Sequence, residues 1–264
     1  MTPKGTEVAT RILSDKGQGL SFPTQLDALL MAEFVEVEFL ATDACFEGCT
    51  KLVDRCPTIF VNEGGRGQSD GRVRFTFAHE IGHYFLHRRL IRRGHEFVDQ
   101  SISQAGDSTD ELERDANDFA SEVLLPSPLV QRFLRGSIIG LDVIEKLSQE
   151  ARTSLQATSI KVARESSSRF CIFLERGGLV RWSAPSDDWI HSKLPWSRWH
   201  GESPPTGSQT IAKTGSFTET ETARRVWHPN DRVDDGVVFE SALETMFGRL
   251  ILVIDGDDEN MIQP

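Results

Sequence analysis

The sequence predicts an α+β protein in three segments, and three observations carry that prediction. Residues 79–83 read His79-Glu80-Ile81-Gly82-His83 in a helical setting, short extended stretches precede that helix, and all five tryptophans fall between residues 182 and 227 among strand-like runs. The expected boundaries are 1–127 for a small sheet with two chemistry-bearing helices, 128–167 for a helical middle, and 168–264 for a second α+β domain.

In the first segment, residues 6–30 contain helical stretches, and residues 34–40 (FVEVEFL) alternate as a strand. Residues 59–62 (IFVN) read as a second strand and residues 64–71 as a Gly-rich loop. The next stretch, residues 74–87 (RFTFAHEIGHYFLH), winds at ~100° per residue. His79, His83, Thr76, His87 and Glu80, with Tyr84 at the edge, then share one sector of about 140°. Phe75, Phe77, Ala78, Ile81, Gly82, Phe85 and Leu86 fill the rest. A helix apolar over most of its surface is buried. Unpartnered polar groups on it would cost about 2–7 kcal/mol each by transfer estimates, and a metal ion supplies the partner.

Two histidines one turn apart can hold one Zn²⁺, while Glu80 reaches water on the open side of the metal. A third donor is needed. A continuation to Gly at 86 and His at 89 is excluded, since these are Leu86 and Arg89. The second candidate helix, residues 108–126, opens with Ser108 and Glu111 in capping-box spacing and stops at Pro126. Leu112, Ala116, Phe119, Ala120, Val123 and Leu124 form its apolar stripe. Glu111, Asp115, Asp118 and Glu122 cluster on the other face and read as solvated surface. Glu113 alone falls inside the apolar arc, where a carboxylate must be paired or bind metal. His79, His83 and Glu113 are therefore the expected ligands and Glu80 the catalytic base, with Asn117 placed to support a ligand.

At these residues the chain resembles the ImmA/IrrE family of zinc metallopeptidases. The resemblance rests on residues 74–84 (RFTFAHEIGHY), residues 113–120 (ERDANDFA) running into Leu124-Leu125-Pro126, and the preceding IFVN. Asp115 departs from the glutamate usual at its position. The resemblance implies a minimal zincin, a small sheet packed on two helices with zinc between them. It also implies a cytoplasmic peptidase that makes a limited cut in a partner helix-turn-helix (Xre-like) repressor and so relieves repression. Mn²⁺ or Fe²⁺ fits the same donor set. A regulatory module that keeps the metal but sequesters its partner without cutting is the second reading.

The middle segment carries helical spacing over residues 128–165, similar to the helix-turn-helix-like part of longer IrrE-type proteins; a plain helical connector reads equally well. Without a marked basic face it gives only weak support for DNA contact. In the last segment residues 170–174, 179–182 and 250–254 read as strands and 241–247 as a helix. By resemblance this region could match a GAF-like sensor domain with a small-molecule ligand; a Trp-rich core with no ligand is the other reading. Residues 255–260 lack the spacing of a calcium loop and read as a solvated tail.

The net charge of −11 argues against general nucleic-acid binding. Residues 1–22 hold no apolar run that could serve as signal or span, and no later stretch approaches one. Cys45, Cys49, Cys56 and Cys171 form no CxxC pair and read best as reduced thiols, with a disulfide set or second metal site left open. His87, one turn past His83, reads as a support or substrate contact or as a core hydrogen bond. Tyr84 could meet an oxyanion but reads better as packed with its hydroxyl satisfied. Asn62 is a further substrate-side candidate, on a strand expected to offer an exposed edge. Arg88, Arg89, Arg92 and Arg93 complement a helix C-terminus.

Overall fold

A computed structural model describes residues 3–19, 21–43, 46–64, 69–99, 111–191, 197–228 and 236–257. The chain divides into two units, Met1–Leu129 with Ser148–Ser154, and Val130–Leu147 with Leu155–Pro264.

The first unit begins with helices α1 (Lys4–Asp15) and α2 (Leu26–Leu30). Strands β1 (Glu36–Leu40), β2 (Gly48–Val53) and β3 (Cys56–Asn62) follow, then helix α3 (Asp70–Ile91), strand β4 (Phe97–Asp99) and helix α4 (Glu111–Leu124). The sheet order is β1-β3-β2-β4, with β1 parallel to β3 and the other pairs antiparallel. Ser69 caps α3 by accepting from Arg72 N at 3.3 Å. Residues 76–84 of α3 are all buried, as its nearly all-round apolar sequence requires. The helix lies on β2 and β3 and packs against α4, which is backed in turn by α1. Ile59, Val61, Phe77, Ile81, Phe119, Ala120 and Val123 fill the shared core with Ala9 and Leu13 of α1.

Two expectations fail here. Residues 59–62 are not an edge: β3 lies inside the sheet, between β1 and β2. The strand that covers it, β2, gives no clean alternation in sequence. Its hairpin turn places Asp54 and Arg55 at φ 46° and 69°, a conformation usually announced by Asn-Gly or Asp-Gly. The acidic face of α4 is not simply solvated either. Asp115 is buried under α1 and accepts from Lys4 Nζ at 2.9 Å, so its departure from glutamate falls at a packed position. Glu122, also buried, accepts from Ser127 N at 2.9 Å and Ser127 Oγ at 2.8 Å. The expected cap at Ser108 lies outside the described residues.

The middle of the chain is helical, with α5 (Ser127–Leu134), α6 (Leu141–Ala151) and α7 (Leu155–Glu165). In the second unit follow β5 (Phe170–Arg176), β6 (Leu179–Pro185), α8 (Asp187–His191), α9 (Gln209–Ala212), β7 (Phe217–Ala223), α10 (Arg224–Trp227), β8 (Val237–Thr245) and β9 (Gly248–Asp255). The five strands form an antiparallel sheet in the order β6-β5-β9-β8-β7. Trp189 and Trp227 are fully buried with Phe173, Val180, Val238, Ile251 and Val253, and Trp199 packs against that cluster. Trp196 lies outside the described residues.

Residues 241–247 are not a helix. They complete β8 and its turn into β9, and burial along β8 alternates as a strand between two partners requires. The acidic tail also begins buried rather than solvated. Asp255 accepts from Arg224 at 2.5 Å and pairs with Arg169 at 3.2 Å, and Asp257 joins Arg224 as well. Cys49, Cys56 and Cys171 are free thiols, and Cys45 lies outside the described residues. Burial pushes the Cys49 thiol up to about 11, so it stays protonated near neutral pH. No helix among the described residues is long and apolar enough to cross a membrane.

Candidate metal centre

Helix α3 supplies four polar side chains to one buried stripe: His79, Glu80, His83 and His87, each at most 3% exposed. The helical register brings the two imidazoles of the motif together, with His79 Nε2 and His83 Nε2 2.9 Å apart. Helix α4 closes the third side. Glu113 places Oε2 3.2 Å from His79 Nε2 and Oε1 3.4 Å from His83 Nε2. One donor atom from each of these three residues lies within 4.8 Å of the others, a group able to hold a metal ion.

The surrounding contacts set the proton positions. His79 Nδ1 lies 3.0 Å from Asn117 Oδ1, and an amide oxygen only accepts, so Nδ1 carries the proton and Nε2 presents its lone pair. His83 Nδ1 lies 3.0 Å from His87 Nδ1. Burial pushes His87 down to about 4, with His83 adding to the effect, so His87 is neutral near pH 7; if His83 Nε2 is left bare, the shared proton sits on His83 Nδ1 and His87 accepts it. The backbone of His87 departs from helical geometry, with φ −116° and ψ 18°. Burial opposes ionisation of Glu113. When the facing Nε2 atoms of His79 and His83 carry a proton, their hydrogen bonds and charge outweigh it and hold the carboxyl well below the usual carboxylate range.

Two imidazole nitrogens 2.9 Å apart can share at most one proton between them. A carboxylate facing both adds negative charge to the same small volume. A divalent cation is the partner that serves all three donors at once, so the residues present fit a metal of the zinc type.

The other candidates are placed elsewhere. Tyr84 gives its hydroxyl to Glu33 Oε2 at 3.2 Å, under the Arg88 guanidinium 4.7 Å from the ring. Asn62 pins the loops beside β3: its Oδ1 accepts from Thr42 N at 3.2 Å and Gly64 N at 3.0 Å, and its Nδ2 donates to Phe46 O at 2.9 Å. Neither belongs to the donor group. Of the basic cluster, Arg88 pairs with Glu33 at 2.8 Å.

Two neighbours escaped the sequence reading. Phe97 on β4 stacks on His83 with centroids 4.2 Å apart and an interplanar angle of 26°. Thr50 on β2 donates to Glu80 Oε2 at 2.5 Å. Neither carries a local signal; both depend on strands that the pattern did not reveal.

A comparison with curated proteins finds no match. Among solved structures the fold is similar to that of a Mycobacterium tuberculosis transcriptional regulator, at TM-score 0.55 and 13% identity, over 95% of this chain and 76% of that one. Residues 50–162 match the model of the Peptidase_M78 family, and the stretch that holds His79, His83 and Glu113 is thereby identified as an IrrE N-terminal-like domain.

Proposed function

We propose that this protein is a regulatory metallopeptidase whose ligands are His79, His83 and Glu113 and whose catalytic base is Glu80. The observation that carries the reading is the convergence of three donor atoms next to a buried glutamate, within a domain of a peptidase family. A zinc ion held there would supply Lewis acidity to the scissile carbonyl and to water; Mn²⁺ or Fe²⁺ fits the same donor set. Glu80 takes the proton of the attacking water and passes it to the departing amine. Asn117 and His87 hold the two imidazoles in the tautomer that leaves Nε2 bare. Phe97 covers one face of His83 and keeps water from that side. Among the described strands, a better edge for a substrate strand than residues 59–62 is β4, which ends the sheet order and exposes Val98.

The substrate we propose is a helix-turn-helix repressor of the Xre-like kind in the cytoplasm, cut once to relieve repression. A protease acting inside a cell must be narrow or gated, and the similarity in fold to a transcriptional regulator supports a regulatory setting. We read the Trp-rich second unit as the part that senses or recognises, in the manner of a GAF-like domain, and not as part of the chemistry. The test is incubation of zinc-loaded protein with candidate repressors, followed by mass spectrometry. A single cut is expected, lost by orders of magnitude in Glu80→Gln at unchanged metal content. Binding of the repressor without any cut would make the protein a sequestering module instead.

A further inference from the structure

We infer that Thr50 is a positioning residue for Glu80 and that Gly48 reserves the space its carboxylate occupies; the inference rests on the peptidase reading above. Strand β2 runs against α3 and presents alternate residues to one face, so Gly48 and Thr50 look the same way. Thr50 is fully buried. Its hydroxyl lies 2.5 Å from Glu80 Oε2 and 3.3 Å from the Glu80 carbonyl oxygen, so the proton goes to the carboxylate. Gly48 addresses the other oxygen with empty space. A Cβ there would lie 2.5 Å from Glu80 Oε1 and 2.7 Å from Thr76 Cγ2, closer than real contacts permit. One strand thus fixes the carboxylate twice, by a donor on one oxygen and by room for the other.

The backbone that carries Thr50 is itself held on both sides. Thr50 pairs across β2 with Ile59 on β3 and with Phe97 on β4. That single rung gives Thr50 to the base and Phe97 to the His83 ring, so the base and one metal donor share a rigid support. A glutamate side chain has three rotatable bonds, and a general base must be within hydrogen-bond reach of its proton. A misplacement near 1 Å can cost about 100-fold in rate.

The experiment compares Thr50→Val, which keeps the shape and removes the donor, with Thr50→Ser, which keeps the donor. In the zinc-loaded protein Thr50→Val is expected to lose about 10- to 100-fold in kcat at similar KM and unchanged metal content. Thr50→Ser should return most of that loss, and Thr50→Val should add nothing in the Glu80→Gln background. A second readout needs neither metal nor turnover. In the metal-free protein, Thr50→Val should lower the unfolding midpoint more when Glu80 is present than in the Glu80→Ala background, because there the hydroxyl has already lost its side-chain acceptor. Gly48→Ala should also lower kcat at retained metal; if it fails to fold, the Thr50 pair of variants still decides. Wild-type kcat in Thr50→Val, failure of serine to restore it, or equal midpoint shifts in the two backgrounds would overturn the inference. If the wild-type protein cuts no repressor, the peptidase reading fails, and the metal-free measurement still decides whether Thr50 and Glu80 are coupled.

Discussion

Replacing Gly5 by alanine tests whether α1 holds α4, and with it Glu113, in place. Gly5 is buried where α1 crosses α4. A Cβ there would lie 2.8 Å from Phe119 N and closer still to the Asp115 carbonyl oxygen. Ordinary contact needs about 3.4 Å or more, so the helices would have to part by well over the ~0.6 Å that Phe119 N alone requires. Alanine is the better helix former by about 1 kcal/mol, which on an isolated helix would make the change stabilising. Overpacking costs roughly 1–3 kcal/mol, and the upper end applies because the obstacle is the backbone of a packed helix, not a side chain that can swing aside. The net expectation is a loss of about 2 kcal/mol, or about 5–8 °C in the unfolding midpoint. Circular dichroism of the metal-free protein measures it. A competition titration with a chelator should also show weaker metal binding, since Glu113 travels with α4. An unchanged or raised midpoint in Gly5→Ala would refute the argument that this crossing is tight.

Metal content should fall sharply in His79→Ala, His83→Ala and Glu113→Ala, while Glu111→Ala, changed at an exposed site on the same helix, should keep its metal; elemental analysis of purified variants checks this. Removing a support, in Asn117→Ala or His87→Ala, should leave the ion bound but weaken it by about 10- to 100-fold. At Glu33, burial opposes ionisation, but hydrogen bonds from Lys16 and Tyr84 and the charge of Arg88 outweigh it and lower the pKa. A lowered folded value stabilises above the ordinary carboxylate range and is lost as pH falls through the folded value. Glu33→Gln should therefore cost about 1 kcal/mol near pH 7, less at high salt, with the gap to the wild type closing below about pH 4 in urea unfolding.

The candidate donor group was legible because its relations are local. His79 and His83 meet through helical register whatever the rest of the chain does, and Glu113 betrayed itself as a carboxylate inside an apolar stripe. What covers a helix face is a different matter. The wheel groups Asp115 with Glu122 correctly, but it cannot know that Lys4 comes from 111 residues away, or that Ser127 turns back over Glu122. Strand β2 stayed hidden because its turn uses Asp54 and Arg55 in the left-handed region, and Thr50 was hidden with it. Residues 241–247 contain good helix formers. They form a strand and turn because β7 and β9 pair with this stretch of chain, a long-range choice that outweighs local preference.

The two residues between Glu80 and His83 show how packing enters the chemistry. Ile81 is fully buried in the core, which fixes the roll of α3. Gly82 faces α4, where an added Cβ would lie 3.1 Å from Phe119 Cδ1 and 3.3 Å from Ala116 Cα. Such a contact would push the neighbour by a few tenths of an ångström, a shift that a hydrophobic core absorbs at modest cost. A metal site is less forgiving, since ligand distances must hold to about 0.2 Å. Ala116 sits one turn after Glu113, so any separation of the helices at Gly82 moves the carboxylate away from both imidazoles. Glycine at 82 and alanine at 116 thus leave the close approach that the proposed metal site, as well as the core, would need. The two helices approach closely enough for Glu113 to face His79 and His83 because Gly82 meets the small Ala116 at the crossing.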